Sequence, residues 1–232
     1  LEIGVGLGAD HERWARSAPK SLTGIDLTPR AIEHTGKRLK SRGLKSNLRT
    51  GNAEQLPFGD ASFDIVYSWG VLHHSPNTPK AIDEVFRVLR PGGVARIMIY
   101  HKYSIVGYVL WLRYALLRGR PFQSLADIYS RYLESPGTKA YTRAETRELF
   151  AEFEEVQLTT RLSGGDLMEG AAGQRHQGLL LKLARTIWPS RLLKATLQSQ
   201  GLFLFIDARK PLESPLRCPC GELPDGRFLQ LE

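Results

Sequence analysis

Short apolar runs alternate with helical segments over the first hundred residues, and this alternation limits the fold more than any other feature. The predicted strands are residues 1–3, 21–26, 47–50, 63–68 and 94–100, and the predicted helices are residues 10–17, 29–41 and 79–89. Thr28 and Pro29 fit the N-cap and first position of the second helix. Strands that alternate with helices predict an α/β fold, a doubly wound and mostly parallel sheet with helices on both faces.

The second half of the chain is less regular. We predict helices at residues 104–120 and 174–199, a helix that begins with a capping box of Thr142 and Glu145, and strands at residues 155–162 and 202–208. One domain would then cover residues 1–210, with a core at 1–100, helical lid insertions at 101–141 and 164–200, and a tail at 211–232. Because the chain opens inside a strand and not on Met, we expect N-terminal sequence to be missing.

Charge and cysteine content narrow the class of protein. The net charge of +8 fits either simple solubility or an anionic partner such as phospholipid, nucleic acid or an acidic substrate. Cys218 and Cys220 are the only cysteines, too few for a tetrahedral zinc site, so we expect no metal and reduced thiols. The longest apolar stretch, residues 104–117, is too short to cross a bilayer. We predict a cytoplasmic protein, with membrane association as an alternative.

A glycine-rich turn follows the first strand, and an acidic residue ends the second. Gly4, Gly6 and Gly8 would let a ligand approach the main chain. Asp26 lies where a doubly wound sheet binds ribose hydroxyls, although it could instead cap the following helix. These features alone fit NAD as well as other adenosine cofactors.

Four stretches together resemble the class I methyltransferases that use S-adenosylmethionine (SAM), closest to the branch of quinone-biosynthesis and small-molecule enzymes. They are LEIGVGLG at residues 1–8, GIDLT at 24–28, GNAEQLPF at 51–58 running into FDIVYS at 63–68, and VLHH at 71–74 with RVLRPGG at 87–93. The resemblance covers about residues 1–100. It implies a Rossmann-like sheet of the seven-stranded type, SAM as cofactor and methyl transfer as the reaction.

The resemblance also implies roles for individual residues. The residues that would hold the methionine end of SAM are Glu2, Gly4, Gly6 and Gly8. The residues that would hold its adenosine are Asp26 at the ribose, Leu27 on the adenine face, and Asn52 and Ala53 at the adenine edge. Ser68 and Trp69 would lie along the cofactor near its sulfonium. Asn52 departs from the Asp usual in this family, so we expect altered adenine contacts, with Glu54 facing solvent.

Methyl transfer needs a base only when the nucleophile must lose a proton. His101 and His74 are weak candidates for that base and His73 a weaker one; the alternative is that none of them is catalytic and that His74 supports its loop.

Two segments indicate the nature of the acceptor. Residues 98–126 and 170–206 contain no Asp or Glu but carry several Lys, Arg and aromatic residues. Basic, apolar helices suit a membrane interface or a lid over a lipid-like acceptor, and they equally suit ordinary packing. We therefore predict a small or lipid-like acceptor, peripheral membrane contact through residues 104–120 and 174–199, and no nucleic acid. The alternatives are an RNA methyltransferase, an NAD-dependent oxidoreductase and a binding protein without activity.

Overall fold

A computed structural model describes residues 1–168, 188 and 190–212. Within them seven strands form one sheet: β1 (Glu2–Ile3), β2 (Thr23–Asp26), β3 (Asn47–Thr50), β4 (Phe63–Trp69), β5 (Leu89–Tyr100), β6 (Glu154–Arg161) and β7 (Phe203–Arg209). Their order is β3-β2-β1-β4-β5-β7-β6. β7 runs antiparallel to both of its neighbours, and the other pairs are parallel. The predicted doubly wound, mostly parallel seven-stranded sheet is confirmed.

The helices of the described residues are α1 (Ala9–Arg16), α2 (Pro29–Ser41), α3 (Thr78–Val88), α4 (Ile105–Tyr114), α5 (Leu125–Tyr132), α6 (Arg143–Leu149) and α7 (Ser190–Thr196). The predicted starts of α2 and α6 are confirmed. The Thr28 hydroxyl accepts a hydrogen bond from the amide of Ala31, and Thr142 with Glu145 forms the full capping box. Both signals are local, so the sequence is enough to place them.

The central strands are buried and hold the molecule together. Ile3, Ile25, Val66 and Ile97 are fully buried in the sheet, and α3 packs Ile82 against the same core. This burial fixes the carboxyl ends of the parallel strands along one edge of the sheet. None of the described helices has both the length and the apolar character needed to cross a bilayer.

β5 begins at Leu89, five residues before the predicted strand at 94–100, and it includes Pro91-Gly92-Gly93, a type of segment that usually marks a turn. Strand pairing begins already at Leu89 and passes from Phe63–Leu89 to Ile65–Val94, so the segment bulges out of the ladder. Gly92 takes a positive φ of 74°, which glycine adopts without strain. The prediction was wrong because a bulge and a turn share the same Pro-Gly signal.

The predicted helix at 104–120 was also wrong in its extent. α4 ends at Tyr114, and a short 3-10 turn at Leu116–Arg118 leads to Gly119, whose φ is 69°. A left-handed glycine shortly before Pro121 stops a helix. α5 was not predicted, although Ser124 accepts a hydrogen bond from the amide of Asp127 and so gives it an N-terminal cap.

Other predictions fall partly outside the described residues. They are the helix at 174–199, of which residues 174–187 and 189 are not described, and most of the tail at 211–232 with Cys218 and Cys220.

The loop after β6 is anchored by Asp166, a fully buried carboxylate. It accepts hydrogen bonds from the amides of Val106, Ser163 and Leu202 at 2.7–3.1 Å. One side chain therefore ties this loop to the starts of α4 and β7.

Two helix glycines should respond to alanine in opposite ways. A Cβ at Gly107 would lie 2.3 Å from the Tyr129 hydroxyl, whereas a Cβ at Gly36 would meet only Leu48 at 3.8 Å. We expect Gly107→Ala to destabilise the fold by about 1–3 kcal/mol through overpacking. Gly36→Ala should stabilise it by about 0.5–1 kcal/mol because alanine favours the helix. Urea unfolding of both variants measures this, and a stable Gly107→Ala protein would contradict the packing between α4 and α5.

Candidate functional site

The strand order reverses between β1 and β4, and the segments after β1, β2 and β4 meet at this point. Chain segments that follow β1 and β2 run toward one side of the sheet, and those that follow β4 run toward the other. In open α/β sheets ligands bind in the crevice outside the strand ends at such a reversal. The predicted cofactor residues fall at or beside the ends of these three strands, except Asn52 and Ala53, which follow the end of β3.

The glycine turn after β1 has a distinct reason for each glycine. Gly4, Gly6 and Gly8 all have positive φ, at 83°, 52° and 75°. A Cβ at Gly4 would lie 2.2 Å from Val71, and one at Gly8 would lie 2.7 Å from Thr35, so the protein's own packing requires both. A Cβ at Gly6 would meet nothing within 4 Å. The open face of the turn is therefore at Gly6, where a ligand has room to approach the backbone.

Asp26 ends β2 and points back to this turn. Its Oδ2 accepts a hydrogen bond from the amide of Gly6 at 3.0 Å, and its Oδ1 accepts from the amide and hydroxyl of Thr28, each at 2.9 Å. Asp26 therefore organises the start of α2 and also faces the glycine turn, while its contact with a ribose stays a prediction. A carboxylate offers about four acceptor positions, so one remains on Oδ2 for a ligand.

Leu27 follows Asp26 and is 73% exposed, which is unusual for a leucine beside a buried strand. Leu7, in the glycine turn, is exposed to a similar extent. Two apolar side chains thus flank the Asp26 carboxylate at the sheet edge. A flat apolar ring could pack on Leu27 while polar groups of the same ligand reach Asp26.

Glu2 is buried below the turn and does not face solvent. Its Oε2 lies 2.8 Å from Nδ1 of His11, and Nε2 of His11 lies 2.7 Å from the Ser46 hydroxyl. Burial raises the pKa of Glu2, while the hydrogen bond with His11 acts in the opposite direction. The sequence analysis did not reveal His11 as the partner of Glu2. A ligand ammonium that bound Glu2 would compete with His11 for the Glu2 carboxylate.

Asn52 is exposed at the edge, beyond β3. Its side-chain oxygen accepts a hydrogen bond from the amide of Glu54 at 2.9 Å. The NH2 group of an amide side chain adds two donors to this acceptor. Ala53 is half-buried against the main core. Glu54, expected to face solvent, is partly exposed, and its carboxylate also accepts from the Ser75 hydroxyl and from the amide of Asn77 and so holds the turn after β4.

Ser68 and Trp69 end β4 but have different surroundings. The Ser68 side chain is buried and donates to the carbonyl of Ile3 at 3.1 Å. Trp69 is 41% exposed and contacts Phe203 and Phe205 edge-on, with ring centroids 5.7 and 5.2 Å away. Trp69 therefore joins a row of aromatic rings on β7 that the sequence analysis did not single out, although their alternate spacing in β7 places them on one face.

The histidines join the same aromatic row, which we call the acceptor-side cluster: Trp69, His73, His74, Tyr100, Phe203 and Phe205. His73 is fully buried between His74 and Tyr100, with ring centroids 4.2 and 4.1 Å away. Neither of its nitrogens has a partner among the described residues, and burial lowers its pKa well below the ordinary value. Tyr100 also stacks on Phe203 at 6.3 Å, which connects the two halves of the cluster.

His74 and His101 occupy different environments. Nδ1 of His74 lies 3.2 Å from the hydroxyls of Ser135 and Thr138, and Nε2 lies 3.5 Å from the Glu134 carboxylate. His101 is buried, with Nδ1 unpartnered in the described part of the chain, and burial lowers its pKa. His74 thus connects the turn after β4 to the segment after α5.

In the described residues no cluster of His, Cys, Asp and Glu could hold a metal ion.

Comparisons with known proteins agree with this geometry. A family model described as a methyltransferase domain matches residues 1–97. The chain is 42% identical over 94 residues to a phthiotriol/phenolphthiotriol dimycocerosates methyltransferase of Mycobacterium leprae, covering 40% of this chain and 34% of the relative. It is 37% identical over 101 residues to the erythromycin 3''-O-methyltransferase of Saccharopolyspora erythraea, covering 42% of this chain and 33% of the relative. Each match thus spans about a third of the curated relative.

Solved structures share the fold over most of the chain. A SAM-dependent methyltransferase of Methanosarcina mazei superposes with a TM-score of 0.59 at 24% identity, covering 92% of each chain. A SAM-dependent methyltransferase of Thermotoga maritima, titled a possible histamine N-methyltransferase, gives 0.55 at 22% identity, covering 90% of this chain and 80% of its own. The matched residues 1–97 include β1 to β4, whose ends form the candidate site. Residues 1–97 of this chain match the methyltransferase domain model, and the chain shares its fold with solved SAM-dependent methyltransferases.

Proposed function

We propose that the protein transfers a methyl group from SAM to a small, apolar or lipid-like acceptor. The observation that carries the proposal is the edge formed by the glycine turn and Asp26, inside the segment that matches the methyltransferase domain. The family and the fold imply SAM as methyl donor. When bound, SAM supplies a methyl group on a positively charged sulfonium, and the protein's task is to orient the two reactants and exclude water.

We propose one orientation for the adenosine of the cofactor. The open face of Gly6 lies beside the free acceptor position of Asp26, where a ribose hydroxyl can donate. Leu27 offers its exposed side chain to the adenine ring, and the Asn52 amide and Ala53 lie at the adenine edge. Gly4 and Gly8 shape the turn, Glu2 favours the methionine end through its negative charge, and Ser68 and Trp69 lie toward the sulfonium.

The acceptor would lie against the acceptor-side cluster. Its members are aromatic, they line the ends of β4 and β5 and the start of β7, and Trp69 is partly exposed. Aromatic faces bind apolar or flat molecules well. The comparison proteins whose names concern phthiotriol lipids and erythromycin support an acceptor of this class. Nucleic acid is not proposed as the acceptor, and peripheral membrane contact through residues 104–120 and 174–199 belongs to the same proposal.

None of the three histidines is proposed as an established base. His73 has no solvent access, and His74 is occupied by Ser135, Thr138 and Glu134. His101, with an unpartnered Nδ1 directly after β5, remains the better candidate of the two predicted ones.

We propose that residues 1–210 act as one domain, in which the part after residue 100 selects the acceptor.

Asp26→Ala should weaken SAM binding at least tenfold, because charge-assisted hydrogen bonds contribute about 1.5–3 kcal/mol. Isothermal calorimetry with SAM and with NAD measures this and also tests the oxidoreductase alternative. Asp207→Ala, an exposed aspartate on β7, serves as the control and should bind normally. Because Asp26 also organises the start of α2, Thr28→Ala is a second control: it removes the N-cap hydroxyl and its bond to Asp26, and it should leave affinity within about twofold. Unchanged affinity in Asp26→Ala would refute the ribose assignment.

Incubation with SAM that carries a radiolabelled methyl group should label material that partitions into organic solvent. A mycobacterial lipid extract and total RNA serve as parallel acceptors, and scintillation counting of both phases measures the transfer. We expect label in the lipid phase because the acceptor-side cluster is apolar. Label confined to the RNA would overturn the acceptor proposal and favour the RNA methyltransferase alternative.

Glu134→Gln should change stability in a pH-dependent way. Hydrogen bonds with His74 and then Tyr100 lower the pKa of Glu134, against the effect of burial. A carboxyl whose folded pKa lies below its ordinary value of about 4.3 stabilises the fold above that value and loses this contribution as pH falls. Because the Glu134 side chain is about half exposed and its pairing is screened by solvent, we expect the variant to be less stable than the wild type at pH 7 by at most about 1 kcal/mol. The difference should shrink as the pH is lowered from 7 to about 3.

Urea unfolding between those two pH values measures the effect of Glu134. Glu148→Gln, at an exposed position of α6, is the matched control and should show no such trend. A difference between Glu134→Gln and the wild type that stays constant across the range would contradict the pairing of Glu134 with His74 and Tyr100.

A further inference from the structure

We propose that the end of α4 and the turn after it dock onto an anionic lipid bilayer. The surface consists of Tyr108, Leu112, Leu116, Leu117 and Phe122, which we call the α4 ridge. The proposal gives a place and a chemistry to the membrane contact included in the proposed function. It rests on exposure and charge in residues 104–122 and not on the transfer reaction itself.

The first observation is that α4 is apolar on all sides. Arg113 is its only charged residue, and the other nine are aliphatic, aromatic or glycine. Gly107 and Leu110 face the core, while Tyr108 and Leu112 on the other side are each about half-exposed. A surface helix in water normally carries polar residues on its outer face, and a helix that is apolar all round is normally covered. The outer face of α4 therefore has the character of a covered surface.

The second observation is that the exposed row continues past the helix. Tyr108 and Leu112 are four residues apart on one side of α4, and Leu116, 44% exposed, lies in the 3-10 turn that follows the helix. Leu117 is 74% exposed and Phe122 is fully exposed, and both lie in the segment between α4 and α5. Large apolar side chains grouped in this way mark a contact surface, whereas single ones are ordinary. A protruding Phe and Leu can insert at the boundary of head groups and acyl chains.

The third observation is the charge around the ridge. Arg113, Arg118 and Arg120 are exposed, and residues 98–126 contain no Asp or Glu. The guanidinium groups of Arg113 and Arg118 lie 5.2 and 5.1 Å from the ring of Tyr114. In the part of the chain that the structure describes, none of the three pairs with a carboxylate. Arginines beside apolar side chains bind lipid phosphates while the apolar groups enter the bilayer.

The charge and the apolar groups together select the partner. A polynucleotide would satisfy the arginines but leave Leu117 and Phe122 in water. An uncharged apolar protein surface would cover the leucines but leave the arginines without counter-charges. An anionic bilayer satisfies both kinds of group.

The test is co-sedimentation of the full chain with vesicles in the absence of SAM. One vesicle is phosphatidylcholine alone, and the other contains about one third phosphatidylglycerol at about 0.1 M salt. We expect binding to the anionic vesicles and at least tenfold weaker binding to the neutral ones. Leu117→Ser with Phe122→Ser, and separately Arg118→Glu with Arg120→Glu, should each weaken binding at least tenfold.

Matched controls separate the ridge from general effects. Leu212→Ser removes an equally exposed leucine elsewhere, and Lys20→Glu with Lys45→Glu makes the same change in net charge at exposed positions in the first half. Both should retain binding within about twofold. Thermal melting of every variant shows that the fold is kept, since all substituted side chains are exposed.

Several results would overturn the proposal. One is that the protein does not bind anionic vesicles. Another is that the Lys20/Lys45 control loses as much vesicle binding as the ridge variants. A third is that the protein binds polyuridylate but not vesicles, and that the ridge variants abolish the binding to polyuridylate. A dimer in gel filtration that Leu117→Ser with Phe122→Ser converts to a monomer would assign the ridge to contact between copies of this chain. Because SAM is absent, each of these outcomes leaves the test of methyl transfer by Asp26→Ala unaffected.

Discussion

The hydrogen bond from the amide of Gly6 to the Asp26 carboxylate is the contact on which the candidate site depends. It joins the turn after β1 to the end of β2, and the same carboxylate holds Thr28 at the start of α2. A backbone turn with three positive-φ glycines has many alternatives in the unfolded chain, so a charge-assisted bond that fixes one of them reduces that freedom in advance of binding. The glycine turn and Asp26 are therefore already held in this arrangement before a ligand binds.

Much of the first half could be predicted because its signals are local. The cap at Thr28, the glycine turn and the acid at the end of β2 each need only neighbouring residues to take effect. The predictions failed where distant contacts decide. The Pro91–Gly93 segment became a bulge because β5 pairs with β4 from Leu89 onward, and Glu54 gained two hydrogen bonds because the turn after β4 offered it two donors. The partner of Glu2, His11, likewise becomes visible only when α1 packs over β1.

The two halves of the molecule therefore differ in how they are specified. The segment matched by the methyltransferase family ends at residue 97, close to the end of β5. Beyond it, the acceptor-side cluster draws its rings from β4, β5 and β7, and Asp166 collects amides from three separate segments. Such contacts join residues far apart in sequence, which explains why the sequence indicated the cofactor more precisely than the acceptor.

The position of β7 has a consequence for how the chain is made. β7 lies between β5 and β6 and pairs antiparallel with both, yet it is the last of the described strands to leave the ribosome. Until then β5 keeps one row of backbone donors and acceptors without a partner, and apolar strand edges of this kind associate with other chains. Synthesis of the final strand is thus the step that closes the sheet, and a nascent or truncated polypeptide lacking it would be a natural client for chaperones.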